Sequence, residues 1–221
     1  FPSHHPRVRI PLPAPRILKA LRGLLYERDS MAPIPMTDQE AKIATDALSE
    51  QIDRYAELLV RKGCAVQKGQ SLVVSAPIQV ADFARRIERA AYAAGAGFVT
   101  VLWSDAESTR IKYENVSVER LSKTPSWVKE QLNSLAEEGA AFLFLEAHDP
   151  NILKGIDPAK PAAESRARNI DCDVFRSGLD FGRNAWCIAG VPVAPWAKEV
   201  FPNLSEAEAV YRLWVAILDV A

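Results

Sequence analysis

Histidine, cysteine and methionine are scarce in this chain of 221 residues, which holds three, three and two of them. His4 and His5 are adjacent, and the pair is too short and too near the N-terminal end to form a metal site. Only His148 remains beyond them. Neither H-x-x-x-H nor H-E-x-x-H spacing therefore exists, and a histidine-rich metal centre within this stretch of chain is excluded. Cys64, Cys172 and Cys187 are widely spaced and odd in number, without a C-x-x-C pair. They argue against a disulfide framework and a zinc knuckle, and read as buried, unreactive thiols of a reducing compartment. A surplus of one charge is missing too: 27 basic residues face 28 acidic ones, so no global field draws nucleic acid or an anionic membrane. The longest apolar runs, such as residues 140–145, fall far short of the ~20 residues needed to span a bilayer as a helix.

Phosphate and nucleophile motifs are also missing. The close glycine pair Gly95 and Gly97 follows a helical pattern and precedes a strand, the wrong side for dinucleotide binding. No G-x-x-x-x-G-K-[ST] loop and no G-x-S-x-G elbow occurs. Asp180-Phe181-Gly182 spells a kinase triplet without the accompanying H-R-D or glycine-rich loop.

Proline and arginine, by contrast, crowd the first 36 residues. Seven of the fifteen prolines lie there, and Arg7, Arg9, Arg16, Lys19 and Arg22 precede the first acidic residue. Ile17, Leu18, Leu21, Leu24 and Leu25 give a short basic amphipathic stretch. Residues 1–36 are expected to be a disordered or non-native extension, with a start at Met31 or Met36. The competing reading of residues 1–30 is a mitochondrial transit peptide.

From residue 37 onward, helical and strand patterns alternate. Thr37-x-x-Glu40 is a capping box, and the helix it opens should bury Ile43, Leu48, Ile52, Tyr55 and Leu59 and end at Gly63. Residues 71–76 read as a strand closed by Pro77, and residues 79–94 as a helix with Phe83, Ile87, Ala90 and Ala94 on one face. Residues 98–103 read as a buried strand. A helix from Pro125 to Glu138, capped by Gly139, leads to a strand over 141–146. A helix around 159–168, an irregular stretch over 172–184 and a strand over 186–191 follow. Ser205-x-x-Glu208 is a second capping box, opening a helix that carries Val210, Leu213, Trp214 and Ile217. Short apolar strands separated by amphipathic helices predict an α/β domain over residues 37–221: a Rossmann-like three-layer sandwich with a mostly parallel sheet of four to five strands.

Few residues are candidates for chemistry. His148 follows the third strand, flanked by Glu146 and Asp149, at the end where open α/β sheets bind ligands. Its loop position alone also explains its polarity. Asp105 follows the second strand and most simply caps the helix over 106–114. Arg85, Arg86 and Arg89 alternate with Asp82 and Glu88, a solvated face rather than a phosphate groove.

Five segments in order resemble the thermophilic-type metallo-aminopeptidases, the aminopeptidase T-like family. They are YAELLVRKGCAVQKGQSLVVSAP (55–77), ADFARRIERAAYAAGA (81–96), VLWSDAESTRIKYE (101–114), GAAFLFLEAHDPNILKGIDP (139–158) and WCIAGVPVAPWAKEVFPNL (186–204). The resemblance covers about residues 51–218. It implies cytoplasmic homodimeric exopeptidases that hydrolyse N-terminal residues from peptides with two divalent metal ions, zinc, cobalt, manganese or magnesium. The family's metal ligands belong to a C-terminal domain, and this chain resembles the N-terminal domain only. No catalytic residue, cofactor-binding residue or metal ligand is therefore carried onto any position here, and the isolated chain is expected to be inactive and metal-free.

Two rival readings stand beside this one. The chain could be a truncated, non-catalytic interaction module that dimerises with itself or with an intact subunit. It could instead be an unrelated Rossmann-like enzyme working on a small ligand through Asp105, His148 and Asp149.

Overall fold

The computed structural model describes residues 35–221. The expectations for the basic amphipathic stretch and for a leader or non-native extension fall on residues outside this range, apart from Pro35 and Met36 at its edge.

The strands are β1 (Ser71–Pro77), β2 (Phe98–Ser104), β3 (Ala141–Glu146) and β4 (Trp186–Gly190), all parallel, in the order β2-β1-β3-β4. Val74 lies beside Val101 and Leu143, and Leu143 beside Cys187, so the apolar centres of the strands are in register. Ten α-helices occur among the described residues. They are α1 (Asp38–Ala47), α2 (Ser49–Leu58), α3 (Ala81–Ala93), α4 (Ala106–Asn115), α5 (Val118–Leu121), α6 (Ser126–Glu137), α7 (Ala159–Asp171), α8 (Asp173–Asp180), α9 (Ala194–Val200) and α10 (Glu206–Val220). None is long and apolar enough to cross a membrane. The expected three-layer α/β architecture with a parallel sheet is what folds.

The main core lies on one sheet face, where α2, α3 and α10 cover Leu72, Val74, Leu143 and Ala189. Leu72, Ile87 and Leu143 are fully buried, each contributing about 1.5–3 kcal/mol of transfer free energy. Tyr55, Phe83 and Trp214 join the three helices through rings 5.6–6.5 Å apart. On the opposite face α6 and α8 cover Val73 and Phe142, with Phe175 edge-on to Phe142 at 4.9 Å.

Four expectations are corrected. The single helix expected from residue 37 is two, because Thr45 turns its hydroxyl back onto the Ala41 carbonyl and Leu48 closes a tight turn onto the Thr45 carbonyl. The break lets α1 run along α10 instead of the sheet, which leaves Ile43 61% exposed. β2, expected to be buried, is the edge strand: Phe98 is 63% and Trp103 46% exposed. Residues 172–184, expected to be irregular, contain α8, whose apolar face packs on Phe142. At α10 only half of the capping box forms. Ser205 Oγ accepts from the Glu208 amide, but the Glu208 carboxylate turns inward to accept from the Met36 N–H at 3.0 Å.

After α2 the backbone widens into a π-helical turn (Leu59–Gly63), with the Cys64 N–H bonding the Leu59 carbonyl at 2.7 Å. Gly63 there presses on β4: a Cβ at this position would lie 2.8 Å from Cys187 Sγ. The sequence marked Gly63 only as a helix end, whereas packing is what requires it. All three cysteines are free and buried, as their spacing suggested. Burial pushes the Cys187 thiol up to about 11 and Cys64 higher still, which keeps both protonated and unreactive.

Candidate functional site

The sheet order places a topological switch between β1 and β3. From β1 the chain crosses to β2 through α3 on one face, and from β3 it crosses to β4 through α7 and α8 on the other. The loops leaving two such strands diverge, opening a crevice at their C-terminal ends, where ligands bind in open α/β sheets. Ile78 and Gln79 follow β1 and Ala147 to Asp149 follow β3, so they border this crevice; Asp105 follows β2 next door.

Each polar side chain there already has partners. His148 Nδ1 lies 3.0 Å from a Glu146 oxygen, and the imidazole is 55% exposed. The hydrogen bond that His148 donates to Glu146 raises the His148 pKa, partly opposed by burial and assisted by the charges of Glu146 and Asp149. Asp149 instead accepts from the Asn151 N–H at 2.8 Å, and the Asn151 amide reaches across to Glu199 at 2.6 Å, tying the β3 loop to α9. Asp105 caps α4, accepting from the Ser108 hydroxyl at 2.8 Å and the Ser108 N–H at 3.1 Å. Those bonds hold its carboxyl below the usual range. Gln79 donates to the other Asp105 oxygen at 3.4 Å and links the ends of β1 and β2.

The candidates are thus split. His148 and Glu146 form a proton-holding couple, Asp149 serves the loop, and Asp105 serves its helix. Gln79 meets Asp105, and Asn151 joins Asp149 to Glu199, without any local sequence signal, because Gln79 lies on the β1–β2 crossover, Asn151 on the β3–β4 crossover and Glu199 on α9 after the last strand. A proton can be held at His148, but among the described residues no serine, cysteine or lysine nucleophile is bonded to that imidazole. Among the described residues no three His, Cys, Asp or Glu side chains converge on one point. This donor set does not fit a dinuclear metal centre.

Two concave surfaces lie elsewhere. A groove of about 710 Å³ runs between α2 and α10, walled by Leu48, Tyr55, Leu58, Tyr211, Val215 and Leu218. Among the described residues that line it there is no histidine, cysteine or serine. A smaller hollow of about 240 Å³ lies between α7 and α8, around Cys172, Phe175 and Leu179.

The arginines of α3 do not form a phosphate groove. Arg85 pairs with Asp82 at 2.7 Å, and Arg86 reaches Asp53 and the Ser49 carbonyl, joining α3 to α2. A tighter polar knot joins α4 to α7: Glu164 accepts from Lys112 at 2.7 Å and from Tyr113 Oη at 2.6 Å. Burial pushes the Glu164 carboxyl up, but these two bonds and the charges of Lys112 and Arg168 outweigh it and leave it lowered. The knot is structural.

Comparison with known proteins gives this fold a context. Residues 48–221 match the model of the thermophilic metalloprotease (M29) family. Aminopeptidase AmpS of Bacillus subtilis is 39% identical over 172 residues, covering 78% of this chain and 42% of its own. Aminopeptidase T of Thermus thermophilus is 36% identical over 178 residues, covering 79% of this chain and 43% of its own. The solved structure of wild-type AmpT from Thermus thermophilus superposes with a TM-score of 0.71 at 34% identity, over 77% of this chain and 43% of that one. The chain therefore spans a little over two fifths of the length of these relatives. With all four strands inside the matched region, and with the same fold in a solved relative, the chain belongs to the thermophilic metalloprotease (M29) family.

Proposed function

We propose that this chain is the N-terminal α/β domain of a metal-dependent aminopeptidase that hydrolyses N-terminal residues from peptides. One observation carries the reading: the family match runs across the whole sheet, yet no described group of side chains suits a metal, and the relatives extend well beyond the match. The two divalent metals, zinc, cobalt, manganese or magnesium, belong in this reading to a C-terminal domain outside this stretch. There they would activate water and polarise the scissile carbonyl. The domain described here would wall the substrate chamber and support contacts of a cytoplasmic homodimer.

The test is direct. The purified 221-residue chain, supplied with Zn²⁺ or Co²⁺, should release no product from amino-acid anilides in a chelator-sensitive manner. Cleavage abolished by a chelator and restored by metal would overturn the assignment of the metal site to another domain.

A further inference from the structure

We propose that residues 16–25 of this chain bind in the groove between α2 and α10, so that the basic N-terminal stretch covers an apolar surface of its own domain. This docking is independent of where the metal site lies.

The groove holds about 710 Å³, with Leu48, Tyr55 and Leu58 on one side and Tyr211, Val215 and Leu218 on the other. Tyr55 is buried, Val215 is 38% exposed, and the other four are half-buried. Two helices side by side leave a furrow that suits the apolar face of a third, anchored at i, i+3, i+4 and i+7. Residues 16–25 carry such a pattern. Ile17, Leu18, Leu21, Leu24 and Leu25 recur at i, i+1, i+4, i+7 and i+8, and no proline falls between Arg16 and Ala32. At about 1.5 Å per residue the stripe is about 12 Å long. Tyr211 to Leu218 covers about 10 Å of α10 and Leu48 to Leu58 about 15 Å along α2, so stripe and groove agree in length.

Charge selects this occupant. Residues 16–25 hold Arg16, Lys19 and Arg22 without an acidic residue. Helices α1 and α2 present six exposed carboxylates against two cations, Lys42 and Arg54, and Asp219 stands on the rim of the groove. On the helical spacing the three cations lie off the apolar stripe, which leaves them to face the acidic margins rather than the floor. Connectivity selects the same occupant. Glu208, in the first turn of α10, holds the Met36 N–H at 3.0 Å. Val215 lies about 10 Å further along that helix. The ten residues from Tyr26 to Pro35 can reach up to about 35 Å. A tether of that length presents the stretch at an effective concentration on the order of millimolar, which an untethered competitor must exceed.

Limited trypsin digestion of the full 221-residue chain, read by mass spectrometry, tests the docking. The bonds after Lys19 and Arg22 lie inside the docked stretch, and those after Arg7 and Arg9 lie outside it. Cleavage tracks the undocked population, so the inner bonds should be cut about ten-fold more slowly than the outer ones. Leu21→Gln with Leu24→Gln should abolish that protection, and so should Val215→Glu on the opposite wall. Glu50→Lys with Glu57→Lys should lower it about three-fold. Protection should stay constant between about 1 and about 100 µM chain, because the contact is intramolecular. Equal cutting of inner and outer bonds overturns the proposal, as does protection that survives both the leucine pair and Val215→Glu. The leucine pair leaves residues 35–221 untouched, so its result stands even if Val215→Glu fails to fold. Protection that grows with chain concentration assigns the groove to a stretch from another copy and overturns the intramolecular docking.

Discussion

Replacing Gly63 by alanine separates two physical effects of opposite sign. Gly63 has an ordinary negative φ, so alanine is conformationally permitted there. Helix propensity alone would favour the substitution by up to ~1 kcal/mol. Against it stands the approach of β4: the added methyl would lie 2.8 Å from Cys187 Sγ and 3.3 Å from Cys187 Cβ. The sulfur has little room to retreat, because Cys187 is 1% exposed, sits in the β3–β4 ladder and donates to the Ile188 carbonyl. Overpacking of this kind costs about 1–3 kcal/mol, which outweighs propensity and leaves Gly63→Ala destabilised by roughly 1–2 kcal/mol. Cys187→Ala removes the sulfur and leaves only the 3.3 Å contact, which a shift of a few tenths of an ångström relieves. In that background Gly63→Ala should cost less than about 0.5 kcal/mol, giving a coupling of about 1–2 kcal/mol. Urea unfolding followed by tryptophan fluorescence on the four members of the cycle measures it. If Gly63→Ala matches the wild type, or costs the same with and without Cys187, the close-approach argument is wrong.

Three further outcomes follow from buried polar groups and from His148. Glu208→Ala removes a 1%-exposed carboxylate that accepts from the Met36 N–H at 3.0 Å and from Arg212 at 3.3 Å. It should cost about 2–4 kcal/mol in thermal unfolding, and a loss below 1 kcal/mol would refute the tie between the start of α1 and α10. Asn184→Ala strips the Ala136 and Ala140 carbonyls of donors at 3.0 and 2.9 Å and should cost about 2–3 kcal/mol by denaturant titration. The His148 pKa is raised in the folded state, chiefly by the hydrogen bond it donates to Glu146. Its stabilising contribution is complete below the ordinary value of 6.5 and fades as pH rises through the folded value. Solvent screening holds that contribution under ~1 kcal/mol. Stability profiles of wild type and His148→Ala should therefore differ at pH 5.5 and converge by pH 9; a constant difference would contradict the sign.

Local patterns were readable where a residue acts on its near neighbours. Thr37 and Ser205 cap their helices, Asp105 caps α4, and β3 occupies the expected 141–146, because caps and apolar runs depend on positions within a turn or two. The candidate crevice was only half legible. His148 and Glu146 are two positions apart in sequence and could be paired by eye. Gln79, Asn151 and Glu199 have no local mark, since they come from the β1–β2 crossover, the β3–β4 crossover and the helix after the last strand.

Composition and the ordered run of motifs were enough, by themselves, to set the α/β class, the parallel sheet, the buried thiols and the family. These properties depend on short-range periodicity and on residues quoted in chain order. Tertiary structure alone decided which strand lies at the edge, why Gly63 must be glycine, and why Glu208 turns away from its own cap. Strand order and the meeting of distant elements are set by which apolar faces find each other in three dimensions. Phe98 to Ser104 reads the same in a central strand as at an edge, and only the sheet order leaves one side of it without a neighbouring strand.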